Sequence, residues 1–126
     1  MVPQDLRYTK EHEWVRLEGE LATIGITEYA AEQLGDIVFV ELPDLGRSVT
    51  QFAAVGVIES VKAVSDLFAP VGGEVVESNA ELSDKPEILN SDPYGKGWML
   101  RIKLSDPTQV DSLLDAPAYE ALTAEA

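Results

Sequence analysis

Turn residues recur so often along this chain that the segments between them have room only for short strands and short helices. Glu18-Gly19, Pro43-Asp44-Leu45-Gly46 and Pro70-Val71-Gly72-Gly73 carry standard turn chemistry. Between them, Trp14-Val15-Arg16-Leu17 alternates as a strand, and Leu21 to Ile26 follows as a second. Thr27 is placed to cap a short helix over 28–34, stopped by Gly35. Ile37-Val38-Phe39-Val40 reads as a buried strand, and Ala54 to Ile58 and Glu74 to Glu77 read as further strands. Ser83 or Asp84 would cap a helix running to Leu89, and 90–97 reads as loop. Trp98, Leu100, Ile102 and Leu104 alternate with Met99, Arg101 and Lys103, which predicts a strand with the first set inward. Asp106-Pro107-Thr108-Gln109 starts a helical C-terminus over 107–126, with Val110, Leu113 and Leu114 on one stripe and Tyr119 and Leu122 on the next. Many short strands, no long helix and no βαβ alternation predict a mainly β fold, either a small barrel or a sandwich.

A length of 126 residues fits one domain over 1–126, and at this size a core forms without staples. The absence of Cys removes disulfides, thiolate nucleophiles and Cys-based metal sites, and a single His weakens every triad. Nine basic against 23 acidic residues give a net charge of −14. Phosphate backbones and anionic membranes would repel such a chain, so no nucleic-acid or membrane partner is expected, and tight self-association is disfavoured. The uncharged run Ser48 to Ile58 is far too short to span a bilayer. Met1 to Asp5 shows no apolar or Arg-rich leader, so a cytoplasmic monomer is expected.

Few residues offer chemistry. In Glu11-His12-Glu13, a strand would turn the carboxylates to one face and the imidazole to the other, so His12 reads as a solvated approach to the first strand rather than a ligand. No HExxH, GxSxG or GxxxxGK[ST] pattern occurs, and a small acidic hydrolase would need a cleft this short chain hardly affords. The unusual position is Lys62. It is the only Lys or Arg in the 37 residues from Ser48 to Asp84, a window that holds six acids. It lies between two strand-like runs, at the tip of a hairpin whose turn lacks Gly, Asn and Pro and includes the β-branched Val61. A solubilising lysine is the ordinary explanation, but a local rule broken with no folding benefit is the kind of departure that marks function.

The segment Glu59-Ser60-Val61-Lys62-Ala63-Val64-Ser65-Asp66 resembles the lipoylation motif of glycine cleavage system H proteins. His12-Glu13-Trp14-Val15, Ala22 to Thr27, Val38 to Pro43, Gly73-Glu74-Val75, Asn90 to Tyr94 and Gly97-Trp98-Met99 match the same family in order, from about residue 6 to residue 122. The resemblance implies a barrel-sandwich hybrid of two small sheets, with short peripheral helices and a helical C-terminus. It implies that Lys62 carries lipoate in amide linkage, and that Glu59, three before it, and Gly73, eleven after it, serve recognition by the lipoylating enzyme. Val61 stands where lipoyl domains of 2-oxoacid dehydrogenases usually carry Asp, and the Met residues that flank the lysine of biotin carriers are absent.

A carrier of this kind is no enzyme and needs no nucleophile of its own, because its dithiolane does the redox and transfer. By the resemblance, the arm takes an aminomethyl group from glycine decarboxylase, yields it to an aminomethyltransferase and is reoxidised by dihydrolipoamide dehydrogenase. The loaded amine is cationic and open to hydrolysis, so a carboxylate on the carrier's surface is expected to pair with it; Glu13 and Asp66 are the candidates. The alternative is a lipoyl-relay or binding module serving other lipoate-dependent complexes, which the motif alone does not separate from the first.

Overall fold

The computed structural model describes residues 2–124. The order is β1 (Arg7–Tyr8), β2 (Glu13–Glu18), β3 (Leu21–Ile26), α1 (Glu28–Leu34), β4 (Ile37–Glu41), β5 (Ser48–Val49), β6 (Ala54–Ser60), β7 (Val64–Phe68), β8 (Gly73–Ser78), α2 (Glu81–Asp84), α3 (Ile88–Ser91), β9 (Leu100–Leu104), a 3-10 helix (Pro107–Ser112) and α4 (Ala116–Ala124). Among the described residues nine strands form two sheets, a six-stranded one in the order β1-β2-β3-β9-β8-β5 and a three-stranded one in the order β4-β6-β7. Every pairing is antiparallel. The mainly β architecture with two sheets, short helices and a helical C-terminus is therefore present; residues 125 and 126 of the expected C-terminal helix lie outside the described residues.

One core joins the sheets. Ile24, Ile26, Val75 and Ile102 from the large sheet meet Ile37, Val40, Ile58 and Leu67 from the small one, all buried. Truncating one of the Ile or Leu side chains to Ala costs about 2–5 kcal/mol through lost burial and the cavity left behind. A second cluster sets Trp14, on the outer side of the large sheet, among Leu6, Tyr8, Ala116 and Tyr119, which holds α4 against the body.

Several elements differ from the sequence reading. Ile37 to Val40 is not buried throughout, because a register shift between Ile37 and Phe39 turns Val38 and Phe39 to solvent. A similar shift in β6 brings Val55 and Ile58, three apart, to the same inner side. The helix expected up to Leu89 is two single turns, since Pro86 forces Lys85 out of the helical region (φ −133°, ψ 65°). Trp98 and Met99 lie before β9, not within it. Asn79 holds the carbonyls of Lys96 and Trp98 at 2.9 and 2.8 Å, and Met99 turns inward to full burial while Trp98 stays half-buried under Arg101. Asp106 caps as expected, accepting from Thr108 N at 3.0 Å, but the turn it starts is 3-10. The two-residue strands β1 and β5 are too short to carry a periodicity signal.

Candidate functional site

Lys62 sits at the tip of the β6–β7 hairpin, in a loop of only two residues: Ser60 N–H donates to the Ala63 carbonyl at 2.8 Å, leaving Val61 and Lys62 to turn the chain. Two-residue loops usually need residues at positive φ, as in Asn-Gly. Neither Val61 nor Lys62 adopts one. The Ser60 hydroxyl closes the turn instead, accepting from Ala63 N at 3.0 Å and from Lys62 N at 3.3 Å. That local bond is why the turn works without Gly, Asn or Pro.

The tip is also tied from outside. Val61 N–H donates to the Asp36 carbonyl at 3.0 Å, so the loop after α1 braces it. Asn90 braces that loop in turn: its Oδ1 accepts from Ile37 N at 2.9 Å, and its Nδ2 donates to the Gly35 carbonyl at 2.7 Å. Gly35 (φ 79°) ends α1, and a Cβ there would stand 3.3 Å from Lys62 Cε, so the lysine stem passes over bare backbone. The hairpin backbone is thus fixed while its side chains project into solvent. Val61 is 69% exposed and Val64 68%, and the Lys62 side chain is exposed.

Cross-strand pairing orders the outer face of the small sheet. Phe39, Glu59 and Val64 form the row nearest the tip; Glu41, Val57 and Asp66 form the next; Ala54 and Phe68 lie beyond. Leu67 points inward at full burial while Val64 and Asp66 point outward. The even-numbered side chains of β7 therefore make a track, Val64–Asp66–Phe68, leading from Lys62 toward the six-stranded sheet. Glu59 and Asp66 lie on this hairpin with the lysine.

The track ends at Glu13, which is only 2% exposed and not the surface carboxylate expected. It starts β2, and its side chain reaches the other sheet: Oε1 accepts from the Thr9 hydroxyl at 2.5 Å and Oε2 from Phe68 N at 3.1 Å. Burial pushes its carboxyl up to about 7, against the two hydrogen bonds, which favour the charged form. A buried carboxylate with no cation beside it is costly, and bringing one near would relieve that cost. Thr9 and Phe68 line a groove of about 470 Å³ together with Tyr8, Lys10, Glu11, Phe52 and Leu113, its surface mostly apolar.

His12 is not a solvated approach to the strand. It adopts φ 69° and is half-buried, and its Nδ1 lies 2.8 Å from the Tyr119 hydroxyl. That hydroxyl also meets Thr27 Oγ1, the cap of α1, at 2.7 Å. Burial lowers the affinity of the imidazole for a proton, so it packs as a neutral ring beside Tyr29 and Tyr119. Among the described residues no three His, Cys, Asp or Glu side chains are grouped to hold a metal ion.

Gly73 stands apart from the hairpin, at the start of β8 in the large sheet, paired with Val49 on one side and Leu104 on the other. Its φ is 153°, and a Cβ there would overlap the Lys103 carbonyl, so glycine is what lets β8 close against β9. Sequence reasoning passed over Ser60, Asp36, Asn90, Thr9, Phe52 and Phe68. A hydroxyl before a turn without glycine was the one signal that could have exposed Ser60; the others act through contacts distant in sequence.

An acyl prosthetic chain on Lys62 suits this geometry. The amine is exposed and the backbone beneath it is held. Val64 to Phe68 covers ~13 Å of strand, and a lysine extended by a lipoyl group spans about 15 Å at ~1.2 Å per bond. The groove at the far end offers apolar walls and a buried carboxyl behind them.

Residues 6–126 match the family model described as "Glycine cleavage H-protein". The chain is 56% identical over 124 residues to the glycine cleavage system H protein of Symbiobacterium thermophilum, covering 98% of this chain and 97% of that one. It is 57% identical over 120 residues to the one of Magnetococcus marinus, covering 95% and 86%. The crystal structure of a glycine cleavage system H protein from Mycobacterium marinum superposes with a TM-score of 0.91 at 39% identity, covering 98% of this chain and 99% of that one.

Proposed function

Because this chain belongs to the glycine cleavage H-protein family, whose members are carriers and not catalysts, we propose that Lys62 is its point of lipoyl attachment. The protein is a lipoyl carrier of glycine cleavage, and the whole chain reads as one carrier domain. The observation that carries the assignment of Lys62 is its placement on a two-residue turn locked by Ser60 and braced by Asp36, with its exposed side chain running over the bare backbone of Gly35.

A bound lipoyl group would supply the dithiol–disulfide redox and group-transfer chemistry that a chain without Cys lacks. The chain's own residues do the rest. Ser60 and Asp36 present the Lys62 nitrogen to a lipoylating enzyme. Glu59, on the outer face one row back from the tip, is offered to that enzyme as a recognition contact; Gly73 is assigned to the same recognition through the sheet geometry it permits. Amide formation removes the one positive charge of the hairpin, leaving a neutral arm on an acidic body.

At the other end of the track, Glu13 and Asp66 serve the arm's cationic cargo. Asp66, exposed midway, guides it; Glu13, buried behind Thr9 and Phe68, holds it where water is scarce. The partners are glycine decarboxylase, an aminomethyltransferase and dihydrolipoamide dehydrogenase. Each meets a carrier of net charge −14, so their docking surfaces are basic around an apolar centre that accepts Val61 and Val64. Among the described residues no helix is long and apolar enough to cross a membrane. We assign the protein to the cytoplasm as a monomer, in keeping with its self-repelling charge.

The test is reconstitution with the three purified enzymes. Lipoylated wild type is expected to support glycine-dependent turnover and Lys62→Ala to support none while keeping its fold. A lipoylated protein that accepts nothing from the decarboxylase would contradict the role.

A further inference from the structure

Phe52 is out of place by every folding criterion. It lies in the turn between β5 and β6 at φ 67°, a left-handed conformation that costs a bulky residue about 1–3 kcal/mol and that glycine adopts freely. Its backbone fully accounts for the turn: Phe52 N donates to the Ala69 carbonyl at 2.6 Å, and Ala53 N to the Thr50 carbonyl at 3.0 Å. The residue is 55% exposed and contributes to neither core cluster. Neither the turn nor the core asks for this side chain.

The ring stands instead in the wall of the groove that Phe68, Thr9, Glu11 and Leu113 share with it. The bond from Phe52 N to the Ala69 carbonyl and the return bond from Ala69 N to Ala53 O (2.9 Å) fix its backbone against the residue next to Phe68. Phe68 N in turn holds the Glu13 carboxyl. Two aromatic residues therefore line the groove at the end of the track, one of them bonded through its backbone to the Glu13 carboxyl.

We infer that Phe52 is a specificity-determining residue for the prosthetic arm, its ring packing with Phe68 against the sulfur-bearing end while Glu13 receives the amine. This rests on the assignment of lipoate to Lys62. The chemistry fits: divalent sulfur packs favourably on aromatic rings, and an apolar wall beside a buried carboxyl keeps water from the amine-bearing carbon. Strain held at a binding position, unneeded for folding, is the energetic signature of such a role.

The experiment uses lipoylated protein whose arm has been loaded from the reduced form with formaldehyde and ammonia. Release of formaldehyde is followed for wild type, Phe52→Gly, Phe52→Tyr and Glu13→Gln, together with nuclear Overhauser contacts to the Phe52 ring and the melting temperature of each. Expected are contacts between the ring and the arm's methylenes in wild type, release about five-fold faster in Phe52→Gly, as loss of one aromatic contact implies, and near wild-type release in Phe52→Tyr. Phe52→Gly is expected to melt no lower than wild type, because relief of the left-handed strain offsets the lost half-buried ring. If Phe52→Gly releases at the wild-type rate while Glu13→Gln releases faster, the arm docks but Phe52 has no part in it. If neither variant changes release, the docking reading fails and takes Phe52 with it. A marked loss of melting temperature in Phe52→Gly would make the ring structural and also overturn the inference.

Discussion

The Glu13→Gln variant is expected to gain stability relative to wild type as the solution becomes alkaline. The folded-state carboxyl is raised from 4.5 to about 7 by burial, so the native state holds its proton more tightly than the unfolded chain does. A group shifted in this direction contributes its full stability below about pH 4.5 and loses it as pH climbs through 7. The shift corresponds to about 3 kcal/mol of differential stability at 1.36 kcal/mol per pKa unit. Glutamine removes the charge and its oxygen accepts from Phe68 N in place of Oε2. Its amide meets a Thr9 Oγ1 that already accepts from Glu11 N and Glu13 N, so the bond to Thr9 is lost, a cost of about 1 kcal/mol that does not change with pH. The variant minus wild-type difference should therefore rise by about 3 kcal/mol between pH 4.5 and pH 8, or ~10 °C in melting temperature for a chain of this length. Urea unfolding of the unmodified protein across that range reads it directly. A difference that stays flat with pH, or a variant less stable at pH 8, would refute the burial of an uncompensated carboxyl at this position.

The other expectations concern the turn and the sheet. Ser60→Ala removes the acceptor for Ala63 N and Lys62 N; amide exchange at Ala63 should speed up by about five-fold, in line with ~1 kcal/mol for such a bond, and lipoylation should slow although Lys62 is intact. Asn90→Ala frees Gly35 O and Ile37 N together and should loosen the same tip from behind, read as faster exchange of the Val61 amide with Ser60 unaltered. Gly73→Ala drives a methyl into the Lys103 carbonyl and should cost more than ~3 kcal/mol in thermal unfolding, with impaired lipoylation if recognition reads the sheet geometry.

What the sequence showed and hid divides along physical lines. Alternation and turn chemistry placed β2, β3, β6, β8 and the cap of α1 by Thr27, because these depend on neighbours in the chain. The bulge in β4, which exposes Phe39, and the inward turn of Met99 depend on hydrogen bonds from the partner strand and from Asn79, and no local pattern encodes them. Lys62 stands out as a candidate because its turn breaks a local rule, and the resemblance around it implies a role for it. Glu13 was legible as a candidate but not as a buried one, since the Phe68 amide that accounts for its position lies 55 residues away. Phe52 could not be found from sequence at all, because only the backbone angle reveals that a phenylalanine occupies a glycine's conformation.

Everything turns on whether the Lys62 amine is where the prosthetic group is attached. Intact-mass measurement and peptide mapping of wild type and Lys62→Arg, each expressed with lipoate and a lipoylating enzyme, decide it most directly. A single lipoyl increment on the peptide containing Ser60 to Asp66 in wild type, absent from a folded Lys62→Arg, is the expected result. An increment on any of the other lysines, or one that survives Lys62→Arg, would contradict it.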